Sequence, residues 1–423
     1  MGSVIEVLKK RQFIESVTSP ELSQIMEKPL KFYIGFDPTA ESLHLGNLVG
    51  IIAAAWLQRF GHTPYLLVGG ATGKIGDPSG KSLERPLLSE EILQSHINSI
   101  KAQLSRFLDF NHPTAAPVIV NNDTWFSKMS VTDFLREVGK HFRIGSMLGK
   151  ESVRARVQSE EGMSYTEFSY QLLQGYDFYY LHKHYGVSLQ LGGSDQWGNI
   201  TAGVEYTRKM DQAAVHGLTF PLLTRSDGKK FGKSEGGAIW LSSELCSPYK
   251  FYQYLYRVAD TDVITLLYRL TFVDSEIIVD FENRLKDKTL PPNTAQKYLA
   301  EEVTRFVHGE EGLQTALKVT QAALPGSNAV LDIKILQEIK EDISCVRLVK
   351  EDVIHKKYID VMVKAGCIAS KSEAVRLVKN GGVYLNNQKI EDPDKIIAAQ
   401  DVIGEQFLLV SVGKKTRYLI ELS

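Results

Sequence analysis

Short, almost wholly apolar runs separated by helical stretches mark the first half of the chain. Lys31–Gly35 (K-F-Y-I-G), Pro64–Gly69 (P-Y-L-L-V-G), Val118–Asn121 and Val187–Leu191 each read as a strand. The first is closed by the Asp37-Pro38 turn, and the second runs into the glycine-rich segment Gly69–Gly80. Between them, Leu48–Phe60 has the length and the residue types of a helix. Continuous apolar strands separated by helices predict an α/β fold, a Rossmann-like doubly wound parallel sheet covered on both faces. Ligands bind such sheets beyond the carboxyl ends of the strands. The polar clusters fall at those ends: Asp37-Pro38-Thr39, Gly73–Lys81 and Gly192-Gly193-Ser194-Asp195-Gln196.

From Pro248 to His308 the pattern turns helical, with Tyr, Phe and Leu at three- and four-residue spacing, mostly as core. A Pro-Gly turn signal in Ala323–Asn328 opens a stretch to Lys350 that reads as a connector. The remainder predicts a small α+β unit. Lys357–Lys364 and Lys371–Lys379 are its helices, and Val383-Tyr384-Leu385 is a strand before the Asn386-Asn387 turn. Phe407–Val412 and Lys414–Leu419 make a closing hairpin.

The length of 423 residues suits two or three domains, at roughly 150 residues each. With 49 basic and 50 acidic residues, the net charge of −1 gives no bulk attraction for nucleic acid, so any RNA must be held by local patches. Cys246, Cys345 and Cys367 are far apart and form no C-x-x-C pair, which argues against both a disulfide framework and a zinc site. No apolar signal core opens the chain, and the longest apolar run, Ile51–Leu57, is far short of the ~20 residues of a membrane span. The reading is a cytoplasmic protein with no membrane partner.

Two short motifs carry candidate chemistry. His44-Leu45-Gly46-Asn47 precedes a helix whose free N–H groups and positive dipole end suit phosphate, and Gly46 lets a flat base approach the backbone. Lys230-Phe231-Gly232-Lys233-Ser234 lies in a loop opened by Asp227-Gly228, where two lysines three apart can follow the charge of a breaking triphosphate. One follows the first strand of the sheet and the other the last. By contrast, Gly76–Ser82 only mimics a P-loop, with three residues between its glycines where four are needed.

Taken together, in that order, the two motifs resemble the signatures of class I aminoacyl-tRNA synthetases. With Tyr33–Ala40 (Y-I-G-F-D-P-T-A) and Gly192–Asn199 (G-G-S-D-Q-W-G-N), the chain resembles the bacterial-type tyrosyl-tRNA synthetases over essentially its whole length. Asn47 departs from the pattern, standing where many members carry a second histidine. An amide can donate to phosphate but carries no charge.

The resemblance implies a ligase that activates tyrosine with ATP and esterifies the 3′-terminal ribose of tRNA(Tyr). ATP is then a substrate accompanied by Mg2+, with no prosthetic group, and the partners are tRNA and a second copy of the chain, not DNA. The implied domains are a catalytic domain over 1–225 with a dimer-forming insertion near Phe134–Met147, and a helical domain over 226–325 carrying the K-F-G-K-S loop. A linker over 326–350 and a ribosomal-protein-like RNA-binding domain over 351–423 follow. Tyr33 and Asp177 match positions that contact the substrate hydroxyl, while Asp77, Tyr170 and Gln174 match those around the ammonium group. Tyr170, Gln174 and Asp177 also share one face of a helix, at i, i+4 and i+7. Gln196 lies close to the reacting carboxyl, and Asp37 and Asp195 near the adenylate's amino and ribose groups. Gly35, Gly46, Gly192 and Ser234 complete the ATP contacts. Thr39, His44 and Asn47 attend the departing phosphates, and Lys81, Arg85, Lys230 and Lys233 stabilise the charge developing on them. Lys371, Arg376, Lys379, Lys414, Lys415 and Arg417 are the candidate RNA contacts. Two rival readings stand beside this one: a tryptophanyl-tRNA synthetase, against which Tyr33 and Asp177 speak, and a nonenzymatic RNA-binding protein on a synthetase scaffold, against which the retained phosphate motifs speak.

Overall fold

A computed structural model describes residues 3–79, 88–228, 230–234, 237–340, 342–413 and 416–423. Six strands, β1 (Ser16–Val17), β2 (Lys31–Phe36), β3 (Thr63–Val68), β4 (Val118–Asn121), β5 (Val187–Gly193) and β6 (His216–Phe220), form one sheet in the order β1-β6-β5-β2-β3-β4. All neighbours are parallel except β1, which runs against β6. From β2 the chain steps outward to β3 and β4, then returns to place β5 on the other side of β2. The carboxyl ends of β2 and β5 therefore flank a topological switch point, where such sheets hold ligands.

The apolar runs of β2, β3 and β5 become inner strands, β3 and β5 each one residue short of fully buried, while β4 is the sheet's edge and only partly buried. The helix after β2, Leu45–Arg59, starts three residues earlier than its apolar pattern suggests, because His44 and Asn47 form a reciprocal cap. The His44 Nδ1 accepts from the Gly46 N–H (3.1 Å) and the Asn47 side-chain oxygen from the His44 N–H (3.0 Å). Ser164 caps the long helix Tyr165–Tyr185, and Gly186 ends it in the left-handed conformation at φ 72°. A small hairpin, β7 (Lys233–Ser234) with β8 (Gly237–Ala238), follows β6.

The chain divides into two compact units, residues 1–245 with 258–299, and residues 246–257 with 300–423. In the first, the buried Arg11 guanidinium donates to the carbonyls of Tyr268, Thr271 and Val273 at the end of helix Asp260–Leu270 and stacks 4.4 Å from the Trp56 ring centre. In the second, β9 (Ser344–Leu348), β10 (Val383–Leu385), β11 (Gln388–Lys389), β12 (Phe407–Val412) and β13 (Thr416–Leu422) form a sheet ordered β11-β10-β12-β13-β9. The alternation of β12 serves two cores. Leu408 and Val410 join Tyr358, Met362 and Ala374 of the helices Tyr358–Lys364 and Lys371–Lys379. Phe407 and Leu409 join Tyr249, Val319, Ala322, Leu336 and Leu419. Residues 326–350 carry the helix Ile333–Ile339 and the edge strand β9, parallel to β13. Because β9 is an edge, its Ser-Cys-Val-Arg-Leu is largely exposed and lacks the apolar run of an inner strand.

Candidate active site

A cleft of about 560 Å3 opens at the switch point. From β2 and the turn after it come Tyr33, Gly35, Asp37 and Thr39; the helix start supplies His44, Gly46 and Asn47. Asp77 closes one side, and Tyr170, Gln174 and Asp177 enter from one face of the helix Tyr165–Tyr185. Gly192, Asp195 and Gln196 stand at the end of β5, and Lys230 and Lys233 reach the same cleft. Ser234, which follows Lys233 in β7, is described by its backbone alone. Lys81 and Arg85 lie outside the described residues.

Backbone pairing sews the two candidate motifs together. The Leu45 N–H donates to the Ile239 carbonyl and the Leu241 N–H to the Leu43 carbonyl, both at 2.8 Å, while His44 bridges Trp240. The Ile239 N–H returns to the Gly232 carbonyl (2.9 Å), and Phe231 and Ile239 are buried beneath the loop. Gly232 sits at φ 84°, and a Cβ there would lie 3.4 Å from the Gly46 nitrogen, so the two loops need a glycine at this crossing.

Deeper in the cleft stands a polar cluster. Asp177, 2% exposed, accepts from the Trp125 indole N–H (2.9 Å) and from the Asn122 amide (3.1 Å). Burial raises its pKa to about 8, outweighing the two donors that pull the other way, and Asp37 adds to the rise. The hydroxyl of Tyr33 is buried with no hydrogen-bond partner among the described residues, and its pKa lies well above the usual phenol value through burial and then Asp177. Because Tyr33 lines the cleft, a ligand there can supply the missing partner. The Gln190 side-chain oxygen, on the strand beside Tyr33, is also unmatched.

Nearer the mouth, the Tyr170 hydroxyl donates to Asp37 Oδ2 (2.8 Å), and the Gln196 amide to Asp77 Oδ2 (2.7 Å). Burial, then Asp37 and Asp77, push the Tyr170 pKa well up; burial and then Asp77 raise that of Asp195, partly offset by Lys230. Thus the cleft has a buried phenol-and-carboxyl end, a carboxylate-rich middle and a cationic rim. An aromatic substrate with a hydroxyl at one end and an ammonium at the other suits the first two, and a polyphosphate suits the third.

Reading the sequence alone passes over Thr72, Asn122, Trp125, Gln190 and Asn199. Asn199 donates to Gln196 (3.2 Å) and reaches Asp77 Oδ1 and Ser79 Oγ at 3.4 Å each. Asn121-Asn122 at the end of β4 is the available signal: paired amides at a strand's carboxyl end next to the switch point.

On the terminal sheet's helix, Lys371 pairs with Asp360 at 2.9 Å, and Arg376 and Lys379 lie in the last turn. Arg417, on β13, is half-buried with its Nε unmatched, and burial lowers its pKa. Lys414 and Lys415 lie outside the described residues.

The doubly wound sheet, the two stitched loops and the cleft they line define a class I tRNA synthetase body. Consistent with that, the family "tRNA synthetases class I (W and Y)" matches residues 26–325, and "Tyrosine--tRNA ligase SYY-like C-terminal domain" matches 336–420. The tyrosine–tRNA ligase of Protochlamydia amoebophila is 54% identical over 422 residues, 100% of this chain and 99% of that one. The chloroplastic/mitochondrial tyrosine–tRNA ligase of Arabidopsis thaliana is 50% identical over 100% of this chain and 84% of its own length. Among solved structures, a C-terminally truncated mitochondrial tyrosyl-tRNA synthetase of Aspergillus nidulans superposes with a TM-score of 0.65 at 30% identity, covering 75% of this chain and 92% of that one. The chain belongs to the tyrosine–tRNA ligase family.

Proposed function

We propose that the cleft activates L-tyrosine with ATP, giving tyrosyl-adenylate and pyrophosphate, and then transfers tyrosine to the 3′-terminal ribose of tRNA(Tyr). The observation that carries the choice of tyrosine is the Tyr33 hydroxyl beside Asp177. Both are buried and line the cleft, and a substrate hydroxyl can bond the unmatched Tyr33 hydroxyl and Asp177 together. Phenylalanine would leave the Tyr33 hydroxyl buried without a partner, and an indole presents no hydroxyl to it. This end of the cleft therefore does not favour the tryptophan enzyme.

In the first step the tyrosine carboxylate attacks the α-phosphorus in line. The bond from that phosphorus to the bridging oxygen breaks, and pyrophosphate leaves with the electron pair. A carboxylate is already nucleophilic, so placement and charge stabilisation suffice and no general base is needed. Asp77, Tyr170 and Gln174 hold the ammonium and Gln196 stands by the carboxyl. Asp37, Asp195, Gly35 and Gly192 seat the adenosine. Thr39, His44, Gly46 and Asn47 meet the phosphates, with Lys230, Lys233 and Ser234 across from them and Lys81 and Arg85 completing the cationic rim. Among the described residues no group of three or more His, Cys, Asp or Glu is arranged to hold a metal ion. Mg2+ therefore enters this reading as part of the ATP substrate, and no step is routed through it. Because the His44 and Asn47 side chains already hold the backbone of the helix start, they bring a rigid helix end to the phosphates rather than flexible charges.

In the same reading, exposed Val131, Leu135, Ile144 and Leu148 of the insertion face a second copy of the chain. Lys371, Arg376, Lys379 and Arg417, with Lys414 and Lys415, meet tRNA phosphates. No helix among the described residues is long and apolar enough to cross a membrane, and cytoplasmic residence belongs to the proposal.

ATP–pyrophosphate exchange with tyrosine, tryptophan and phenylalanine in turn tests the assignment. Exchange with tyrosine alone is expected, and a Lys233→Ala variant should lower it on the order of 10²–10³-fold, as removal of a charge-stabilising donor does. Exchange with tryptophan would show that the Tyr33–Asp177 end has been assigned to the wrong substrate.

A further inference from the structure

Asp177 and Asp37 sit at different depths of the cleft, yet one hydrogen-bond chain, buried at its Asp177 end, joins them. The Asn122 amide, 0% exposed, gives one N–H to Asp177 Oδ2 (3.1 Å) and the other to the Thr72 hydroxyl oxygen (3.0 Å). The Thr72 hydroxyl donates to Asp37 Oδ1 (2.7 Å), and Asp37 Oδ2 takes the Tyr170 hydroxyl (2.8 Å).

The polarity of this chain is fixed. The Ala71 N–H holds the Asn122 side-chain oxygen at 2.8 Å, so the amide cannot flip. With its lone pair engaged by Asn122, Thr72 directs its single proton to Asp37. Gly69 makes room for that bond, since a Cβ there would lie 2.0 Å from Asp37 Oδ1 and 2.2 Å from Thr72 Oγ1.

The geometry points to Asn122 and Thr72 as positioning residues that couple the phenol end of the cleft to the nucleotide end, so that tyrosine and ATP each tighten the other's binding. This rests on the function proposed above. When a phenol bonds Asp177, the demand on the shared Asn122 amide changes, and Thr72 passes that change to Asp37. At low local dielectric, as around buried Asn122 and Thr72, such chains polarise cooperatively. Coupling between two sites is reciprocal and ordinarily spans roughly 5–150-fold.

The test is tyrosine affinity by calorimetry, with and without saturating α,β-methylene-ATP, on the full chain. The wild type should bind tyrosine at least about fivefold tighter with the analogue present. Thr72→Val should bring that ratio to within about twofold of one, and Thr72→Ser, which keeps the hydroxyl, should restore it. Asn122→Asp is an independent break in the chain, with the same expected result should Thr72→Val not fold. Trp125→Phe removes a donor to Asp177 outside the chain and should weaken tyrosine binding while leaving the ratio intact. A wild-type ratio near one, or an unchanged ratio in both Thr72→Val and Asn122→Asp, overturns the coupling. A wild type that shows no tyrosine-dependent exchange overturns the functional reading instead.

Discussion

Replacing Asp177 with asparagine should make the unliganded protein's stability less dependent on pH. The carboxyl's pKa rises from 3.8 to about 8 because burial disfavours the anion. Between those values the folded chain keeps a proton that the unfolded chain has released. Stability from this group is therefore fullest below pH 4, declines as pH rises through the window and levels off above 8. The slope is about 1.4 kcal/mol per pH unit for one proton, so the loss reaches at most about 4 kcal/mol by pH 7. That is a ceiling, because water entering the cleft eases the desolvation. The amide that replaces the carboxyl would still face the Trp125 and Asn122 N–H groups, a mismatch that costs stability equally at every pH. The informative quantity is thus the difference between wild type and Asp177→Asn in unfolding free energy, from urea titrations between pH 5 and 8. A wild-type curve that falls against the variant supports the argument. A difference flat to within about 1 kcal/mol over that range refutes it, since the slope above would then be absent. A companion readout follows in the wild type. A tyrosine hydroxyl donating to Asp177 favours the anion, so binding at pH 7 should release a proton, visible as a binding heat that varies with the buffer's ionisation enthalpy.

Three other outcomes are expected. Arg156 and Glu167 form a nearly inaccessible bidentate pair at 2.9 and 2.8 Å, so Arg156→Met should cost about 3–5 kcal/mol in chemical denaturation by stranding the carboxylate; the double variant with Glu167→Leu should recover part of it. His62 is 1% exposed, and burial lowers its pKa from 6.5 to about 4. Because its folded pKa is depressed, it contributes stability above pH 6.5 that is lost as pH falls towards 4, at most on the order of 3 kcal/mol, and His62→Gln should flatten the acid limb of a stability–pH curve. Under the proposed pairing with a second copy, Ile144, 66% exposed, is central to the contact, so Ile144→Asp should shift sedimentation towards a single chain without lowering the melting temperature of that chain.

Much of the catalytic body is legible in the sequence because it obeys local rules. Strands β2 to β5 are continuous apolar runs, and the two candidate phosphate motifs are contiguous segments of four or five residues that line the same cleft. What escapes depends on partners distant in sequence. β1 is two residues long and exists only because β6 offers it an edge, and β9 is a half-exposed edge strand inside a stretch that reads as a connector. Thr72 and Asn122 are fifty residues apart and carry no motif, and only the adjacency of β3 and β4 brings them together. The apolar pattern places the helix after β2 three residues late because the reciprocal cap between His44 and Asn47, which starts it, lies ahead of the apolar run.

The path of the chain through its two compact units sets a limit on how the protein can be shortened. Because residues 246–257 belong with 300–423, the polypeptide passes from one unit to the other three times, and no single cut separates them. A fragment stopped at residue 325 would retain Tyr249, Val319, Ala322 and Ala323 but lose Ile335, Leu336, Ile339, Phe407, Leu409 and Leu419, which bury them. On the ribosome the same four side chains wait for the last hundred residues before their core can close. The carboxyl-terminal sheet is therefore no detachable appendage in folding terms, and deletions meant to remove RNA binding alone will also bare a sticky surface.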